Sequence, residues 1–299
     1  MNAEKTQCAT SDISMPVISG RTKLVGLLGS PVAHSMSPAM HTTAFSKEGI
    51  DAVYLSFEVT PNELESAVRG LEDVGAVGYN VTMPCKTKVV NYLDELSPAA
   101  ELMGAVNTVA IRDGKSIGYN TDGEGFTCNL RLRGFDPAGK VATVVGAGGA
   151  GSAIFTQLAL DGAQSIAVFN IRDDFWEKTQ RRVEALSARV GVPVRLFNLA
   201  DRELLARKIA ESDLLVNATR VGMAPMEDAC VVDEAMLHEG LFVADTVYEP
   251  RETKLISMAK AKGLPTAPGL GMLLQQAALG EKIWFDVDMP VDYIEKQFF

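Results

Sequence analysis

The stretch VATVVGAGGAGSAIFTQLAL, residues 141–160, limits what this chain can fold into more than any other. It runs for twenty residues without a charge, the length of a membrane span. Four glycines inside it would make a poor lipid helix, so it reads as a strand, a glycine turn and a buried helix. Gly146, Gly148 and Gly151 then stand in G-x-G-x-x-G spacing, directly after the strand and opening the helix. The first glycine permits the tight turn, the second lets backbone N–H groups approach a pyrophosphate, and the third lets helix pack on strand. Alone the motif is weak. With strand, motif, helix and a second strand in order, a bound dinucleotide is favoured over a structural turn.

The choice of dinucleotide falls to the end of that second strand, VFNIRDDFW. A cation there suits a 2′-phosphate, and an acid suits ribose hydroxyls. Asn170 is followed by Ile171, Arg172, Asp173 and Asp174, a mixture that favours NAD and leaves NADP open. The competing reading has Asp173 capping a helix that begins near Asp174.

Around this unit, short apolar runs alternate with amphipathic stretches, the pattern of an α/β protein with mostly parallel strands. Early strands are expected at 23–29, 52–59 and 76–82, and a hairpin at 107–120 turning at Asp113-Gly114. Ser37, Thr60 and Ser97 each precede a proline and are expected as helix N-caps, with Glu63 completing a capping box for Thr60. A second series of strands is expected at 141–145, 165–169, 194–197, 214–217, 241–245 and 264–267, with helices from Asp174 and Glu252 among those between them. The 299 residues thus divide into two α/β domains near 120–125, followed by a last helix after PGLGM.

Composition narrows the partners. Acidic residues number 38 against 28 Lys plus Arg, a net charge of −10 that disfavours nucleic acid. Cys8, Cys85, Cys128 and Cys230 show no metal-ligand spacing and read as reduced thiols of a cytoplasmic protein. The first residues are polar and carry no secretory signal pattern; 1 to about 20 read as a loose lead-in. No membrane partner and no metal are expected.

The three histidines, His34, His41 and His238, offer no clear acid–base role, and no nucleophile elbow is present. A lysine or a carboxylate is left. In GYNVTMPCKTK, Lys86 and Lys88 follow a strand end, where open α/β sheets place ligands. Asp122, in GYNTDGEG, follows another. A Lys and an Asp meeting across a cleft could shuttle a proton to or from a hydroxyl, although most lysines are simply solvated.

GSPVAHSMSPAMH, NVTMPCK, AVNT, YNTDG, GAGGAG, NATRVGM, VYEP and GLGMLLQQA occur in that order. Together they make the chain resemble the shikimate dehydrogenase family over nearly its whole length from about Lys23. FNIRDDFW makes it most similar to the NAD-using quinate/shikimate dehydrogenase branch, since NADP-specific members carry an arginine where Ile171 stands. The resemblance implies an N-terminal substrate domain (1–121), a Rossmann-type NAD(P) domain (122–267) and a C-terminal helical segment (268–299) returning to the first. It implies that Lys86 and Asp122 are the catalytic pair, with Lys88 a solvated neighbour. Ser35 and Ser37 would hold a substrate carboxylate. Thr82, Asn107 and Gln276 would bond ring hydroxyls, with Tyr248 beside them; Gln275 is the rival of Gln276.

The cofactor contacts implied are Gly146, Ala147, Gly148, Gly149, Ala150 and Gly151, with Asn170, Arg172 and Asp173 at the adenosine end. Thr219, Arg220, Val247 and Gly269 complete them. Two departures from the family pattern bear on the cofactor: Glu249 replaces an asparagine, and Arg220 stands where the NAD-using branch carries lysine. The implied substrate is a polyhydroxylated cyclic carboxylic acid, shikimate or quinate, and a homodimer is left open. Two other classes compete: a dinucleotide-binding regulator without turnover, and a lysine-dependent folate-pathway dehydrogenase.

Overall fold

The structure, a computed structural model, describes residues 17–299; residues 1–16, with Cys8 and most of the expected lead-in, lie outside it. Two six-stranded sheets organise the chain. The first holds β1 (Lys23–Gly29), β2 (Ala52–Glu58), β3 (Gly78–Val81), β4 (Glu95–Leu96), β5 (Thr108–Arg112) and β6 (Lys115–Tyr119), in the order β2-β1-β3-β5-β6-β4. Its helices are α1 (Ser37–Lys47), α2 (Leu64–Asp73) and α3 (Pro98–Met103). Strands β1, β2 and β3 run parallel, while β5 is antiparallel to both β3 and β6. The carboxyl ends of β3 and β6 and the start of β5 therefore meet at one edge of the sheet. The segments after them carry Lys86 and Asp122, and Asn107 precedes β5.

Helix α4 (Thr121–Leu132) leads into the second sheet. This holds β7 (Val141–Val145), β8 (Ser165–Asn170), β9 (Val194–Asn198), β10 (Leu214–Asn217), β11 (Phe242–Asp245) and β12 (Thr266–Ala267), all parallel. The order β12-β11-β10-β7-β8-β9 reverses direction between β10 and β7, the doubly wound arrangement whose ligands bind at that reversal. Helices α5 (Gly149–Leu160), α6 (Trp176–Val190), α7 (Arg202–Ala210) and α8 (Lys254–Ala261) accompany it. Strand β7 is apolar but for Thr143, whose buried hydroxyl pairs with Ser212 at 2.8 Å, as a strand covered on both faces should be.

The chain returns through α9 (Gly269–Phe285) and α10 (Val291–Phe298). Leu270, Leu274 and Ala277 of α9 pack with Met40 and Ala44 of α1, and Trp284 Nε1 donates to Val109 O of β5 at 2.9 Å. His41 of α1 and Glu281 of α9, both buried, pair at 2.7 Å.

Four helix starts differ from expectation. Helix α6 begins at Trp176, two residues past the expected Asp174, because Asp173 first closes a turn by accepting the Phe175 N–H at 3.0 Å. Helix α1 begins at Ser37 itself, so Ser37 is not its cap; the cap position falls on Met36, and Ser35 Oγ accepts the Ser37 N–H at 3.2 Å. Helix α2 begins at Leu64 rather than after Thr60, because Glu63 closes a separate turn by accepting the Thr60 N–H at 3.0 Å and hydroxyl at 2.7 Å. Helix α8 is capped by Thr253, whose hydroxyl accepts from Ile256 N–H, one residue past the expected Glu252. Ser97 does cap α3, accepting from Ala100 N–H at 3.2 Å, and the hairpin turns at Asp113-Gly114 with both residues at positive φ.

Candidate active site

A cavity of about 360 Å³ lies between the carboxyl edge of the first sheet, the start of α1 and the first turns of α9. Lys86 Nζ and Asp122 Oδ2 stand 2.6 Å apart in its wall, Lys86 27 % and Asp122 16 % exposed. The pair is built by chain geometry. The residues after β3 turn at Pro84, and Cys85 is buried in the first core, so Lys86 is held by a fixed neighbour. Burial pushes the Cys85 thiol above its ordinary value, leaving it a packing residue. Asp122 sits in the first turn of α4, whose cap Asn120 accepts the Asp122 N–H at 3.2 Å.

Asn107 sets the other carboxylate oxygen. Its Nδ2 donates to Asp122 Oδ1 at 2.8 Å and to Thr121 Oγ1 at 3.0 Å, while its Oδ1 accepts from Thr121 N–H at 2.8 Å. A buried amide with every hydrogen committed cannot rotate, so Asp122 is fixed in turn. Lys88, expected to be solvated, instead donates to Pro61 O at 2.7 Å and ties the lysine loop to the turn before α2.

Ser35 and Ser37 line the same cavity at the start of α1, where the helix dipole favours an anion. Their loop is fastened by Glu58, which accepts from the Ser30 hydroxyl and from Val32 N–H; the Ser30 bond, then Val32, holds its carboxyl below the usual range. Thr82, Tyr248 and Gln276 complete the wall, so all eight residues expected for substrate and proton transfer share one cavity. Gln276 lines it, whereas Gln275 does not.

The cofactor candidates form a second group at the sheet reversal. Gly146, at φ +106°, has no room for a side chain: a Cβ would stand 2.6 Å from Ala218 O. A Cβ on Gly151 would meet Gly146 O at 2.1 Å, so the helix end lies against the turn. Gly148 is the α5 cap and brings no side-chain bond, and Gly149 and Ala150 open the helix with free N–H groups. Such a cradle, narrow and rich in backbone donors, fits a pyrophosphate. Asn170 supports it, accepting the Ala147 N–H at 3.1 Å. Beyond it Arg172 lies over the Trp176 ring at 5.6 Å, and Asp173 accepts the Phe175 N–H at 3.0 Å, serving the turn before α6.

Thr219, Arg220 and Val247 sit on the loops after β10 and β11. Asp245 binds those loops together, accepting from Asn217 Nδ2 at 3.0 Å, Val247 N–H at 2.9 Å and Thr253 Oγ1 at 2.7 Å. Burial nevertheless lifts its carboxyl to about 6. Thr219 spends its hydroxyl inside the loop on Asn217 Oδ1, while Arg220 and Glu249 are exposed. Ala150 and Gly269 border the substrate cavity too, so the two groups of residues adjoin.

Several lining residues were missed in the sequence, among them His34, Asn80, Thr246 and Met272. Asn80 stands inside the NVT motif, two residues before Thr82, and that alternation on a strand end was the available signal. Among the described residues no cluster of three or more His, Cys, Asp or Glu could hold a metal, and no helix is long and apolar enough to cross a membrane.

Comparison with known proteins identifies the family. A family model described as the shikimate dehydrogenase substrate binding domain matches residues 27–109, and one described as the shikimate 5'-dehydrogenase C-terminal domain matches 269–297. A relative from Listeria monocytogenes named shikimate dehydrogenase (NADP(+)) is 46 % identical over 283 residues, covering 94 % of this chain and 97 % of its own. The solved structure of a shikimate 5-dehydrogenase from Listeria monocytogenes, in complex with shikimate and NAD, superposes with a TM-score of 0.92 at 46 % identity, covering 94 % of this chain and 98 % of that one. Quinate dehydrogenase from Corynebacterium glutamicum in complex with NAD gives 0.84 at 29 % identity, with 93 % and 98 % covered. This chain belongs to the shikimate dehydrogenase family.

Proposed function

We propose that this protein is a cytoplasmic NAD(P)-dependent oxidoreductase that interconverts shikimate and 3-dehydroshikimate, and quinate and 3-dehydroquinate as well. The observation that carries the reading is the 2.6 Å Lys86–Asp122 pair in a cavity whose wall also holds Ser35, Ser37, Thr82, Asn107 and Gln276. In this reading residues 1–121 and 268–299 make the substrate side and 122–267 the cofactor side.

The bound cofactor supplies or takes the hydride. Lys86 does the matching proton work: its ammonium gives a proton to the ketone oxygen in reduction and its amine takes one from the hydroxyl in oxidation. Asp122 holds the Lys86 head and compensates its charge. Ser35 and Ser37 hold the carboxylate at the α1 N-terminus. Thr82 and Gln276 read the ring hydroxyls, while Asn107, its hydrogens committed to Asp122 and Thr121, holds the Asp122 carboxylate beside them; a site that spends polar groups on hydroxyls rejects acids lacking them.

NAD is the preferred cofactor in this proposal. Ile171, 60 % exposed, follows Asn170 where a cation would serve a 2′-phosphate, and Arg172 is drawn over Trp176. The test is four parallel assays, NAD and NADP each with shikimate and quinate, repeated with Lys86→Ala. Turnover is expected with NAD, and loss of the lysine should lower kcat by about 10²- to 10⁴-fold while cofactor still binds. A strong preference for NADP would overturn the cofactor assignment. Silence in all four assays with cofactor bound would replace this reading by that of a regulator without turnover.

A further inference from the structure

Tyr54 of β2 lies behind the substrate cavity rather than in its lining and is fully enclosed. Its ring stacks on His41 at 4.7 Å between centroids, and Glu281 of α9 holds His41 at 2.7 Å. Its backbone N–H donates to Thr42 Oγ1 at 3.2 Å. Main chain and ring are thus both fixed to α1. The hydroxyl reaches the site instead, standing 2.7 Å from Asn80 Oδ1.

The polarity of that bond follows from the far side of Asn80. Asn107 O, 3.0 Å from Asn80 Nδ2, is a backbone carbonyl and can only accept, so the NH₂ group must face it. The second hydrogen goes to Thr108 Oγ1 at 2.9 Å. Oδ1 therefore faces Tyr54, and Tyr54 commits its one proton there. Burial raises this phenol well above its ordinary value, so the proton stays in place at any working pH. Asn80 keeps one free acceptor site on Oδ1, and Asn80 lines the cavity.

We infer that Tyr54 is a positioning residue for the acid substrate, fixing the Asn80 amide from behind the wall while touching no substrate itself. The inference rests on the functional reading above, in which this cavity takes the ring acid. It separates Tyr54 from a residue that merely packs, because removing the hydroxyl alone leaves the ring stack with His41 intact.

Tyr54→Phe tests it, with steady-state kinetics and thermal melting beside wild type. The KM for shikimate should rise about tenfold, with the KM for cofactor and kcat within about threefold and little change in melting temperature. In an Asn80→Ala background the same change should raise KM by less than it does alone, since it acts through Asn80. An unchanged KM for shikimate, equal rises for both substrates, or rises that multiply in the double variant would overturn the inference. A wild type that turned over no ring acid would overturn the functional reading and this inference with it.

Discussion

The two halves of the site are built by opposite means. On the substrate side, side chains hold one another: Asn80, Asn107, Thr121, Asp122 and Lys86 form an unbroken run of hydrogen bonds, each 3.0 Å or shorter, through side chains and one backbone carbonyl. On the cofactor side the cradle is made of backbone and of glycines, of which Gly146 and Gly151 leave no room for a Cβ. At its outer edge Ile171 and Phe175 are 60 % and 68 % exposed, and Asp173 is occupied by a turn. Buried polar groups bonded to each other fix geometry and are intolerant of change. Exposed positions at a cradle's rim are cheap to change. On the proposed function, the difference places the chemistry in the rigid half and leaves cofactor choice to a few solvent-facing residues.

Breaking the cradle should have the largest effect. In Gly151→Ala the new Cβ would meet Gly146 O at 2.1 Å, and the turn must move. Cofactor affinity is expected to fall about a hundredfold or more. Shikimate should still raise the melting temperature, because the other wall is untouched; loss of both responses would show that the halves are not independent.

A smaller effect concerns Asp245, the deep anchor of the cofactor side. Burial lifts its carboxyl to about 6, so the folded chain binds that proton more tightly than the unfolded chain. Its stabilising contribution is full below the unfolded value near 4 and is lost as pH rises through about 6, on the order of 2 to 3 kcal/mol. The difference in stability between wild type and Asp245→Asn, followed by denaturant unfolding from about pH 4 to 7, should carry that slope. A flat difference would mean that the three hydrogen bonds to Asp245 outweigh its burial.

The smallest effect sharpens the comparison at the rim. Ile171→Arg should raise kcat/KM for NADP relative to NAD by about tenfold, with KM for shikimate unchanged. An unchanged ratio would place cofactor choice elsewhere on the rim, with Arg172 or Arg220 the next residues to vary.

Much of this arrangement was legible in the sequence because its signals are local. Strands at 23–29, 141–145 and 214–217 were readable to the residue, since apolar runs bounded by glycine or asparagine admit few alternatives. The glycine motif needed only its own neighbours. What stayed hidden depends on distant partners. His41 looked like an ordinary helix residue, and its carboxylate lies 240 positions away on α9. Tyr54 was one more aromatic in a strand, and its hydroxyl matters only because β3 places Asn80 beside it. Ser37 misled for a subtler reason: Ser35 and Ser37 both suit a helix start, and one residue of shift exchanges the cap for a helical position. The solvated reading of Lys88 failed because a carbonyl acceptor has no signature in sequence.

Helices α4 and α9 touch closely enough that a Cβ on Gly125 would stand 2.6 Å from the Gln276 backbone nitrogen. Gly125 is three residues from Asp122 along α4. On the proposed function, the hydroxyl reader and the proton partner are therefore carried on two helices in backbone contact, like two teeth cut on one gear. That contact holds the spacing between Gln276 and Asp122, so on this reading the width of ring the site accepts is set by helix packing rather than by side-chain reach.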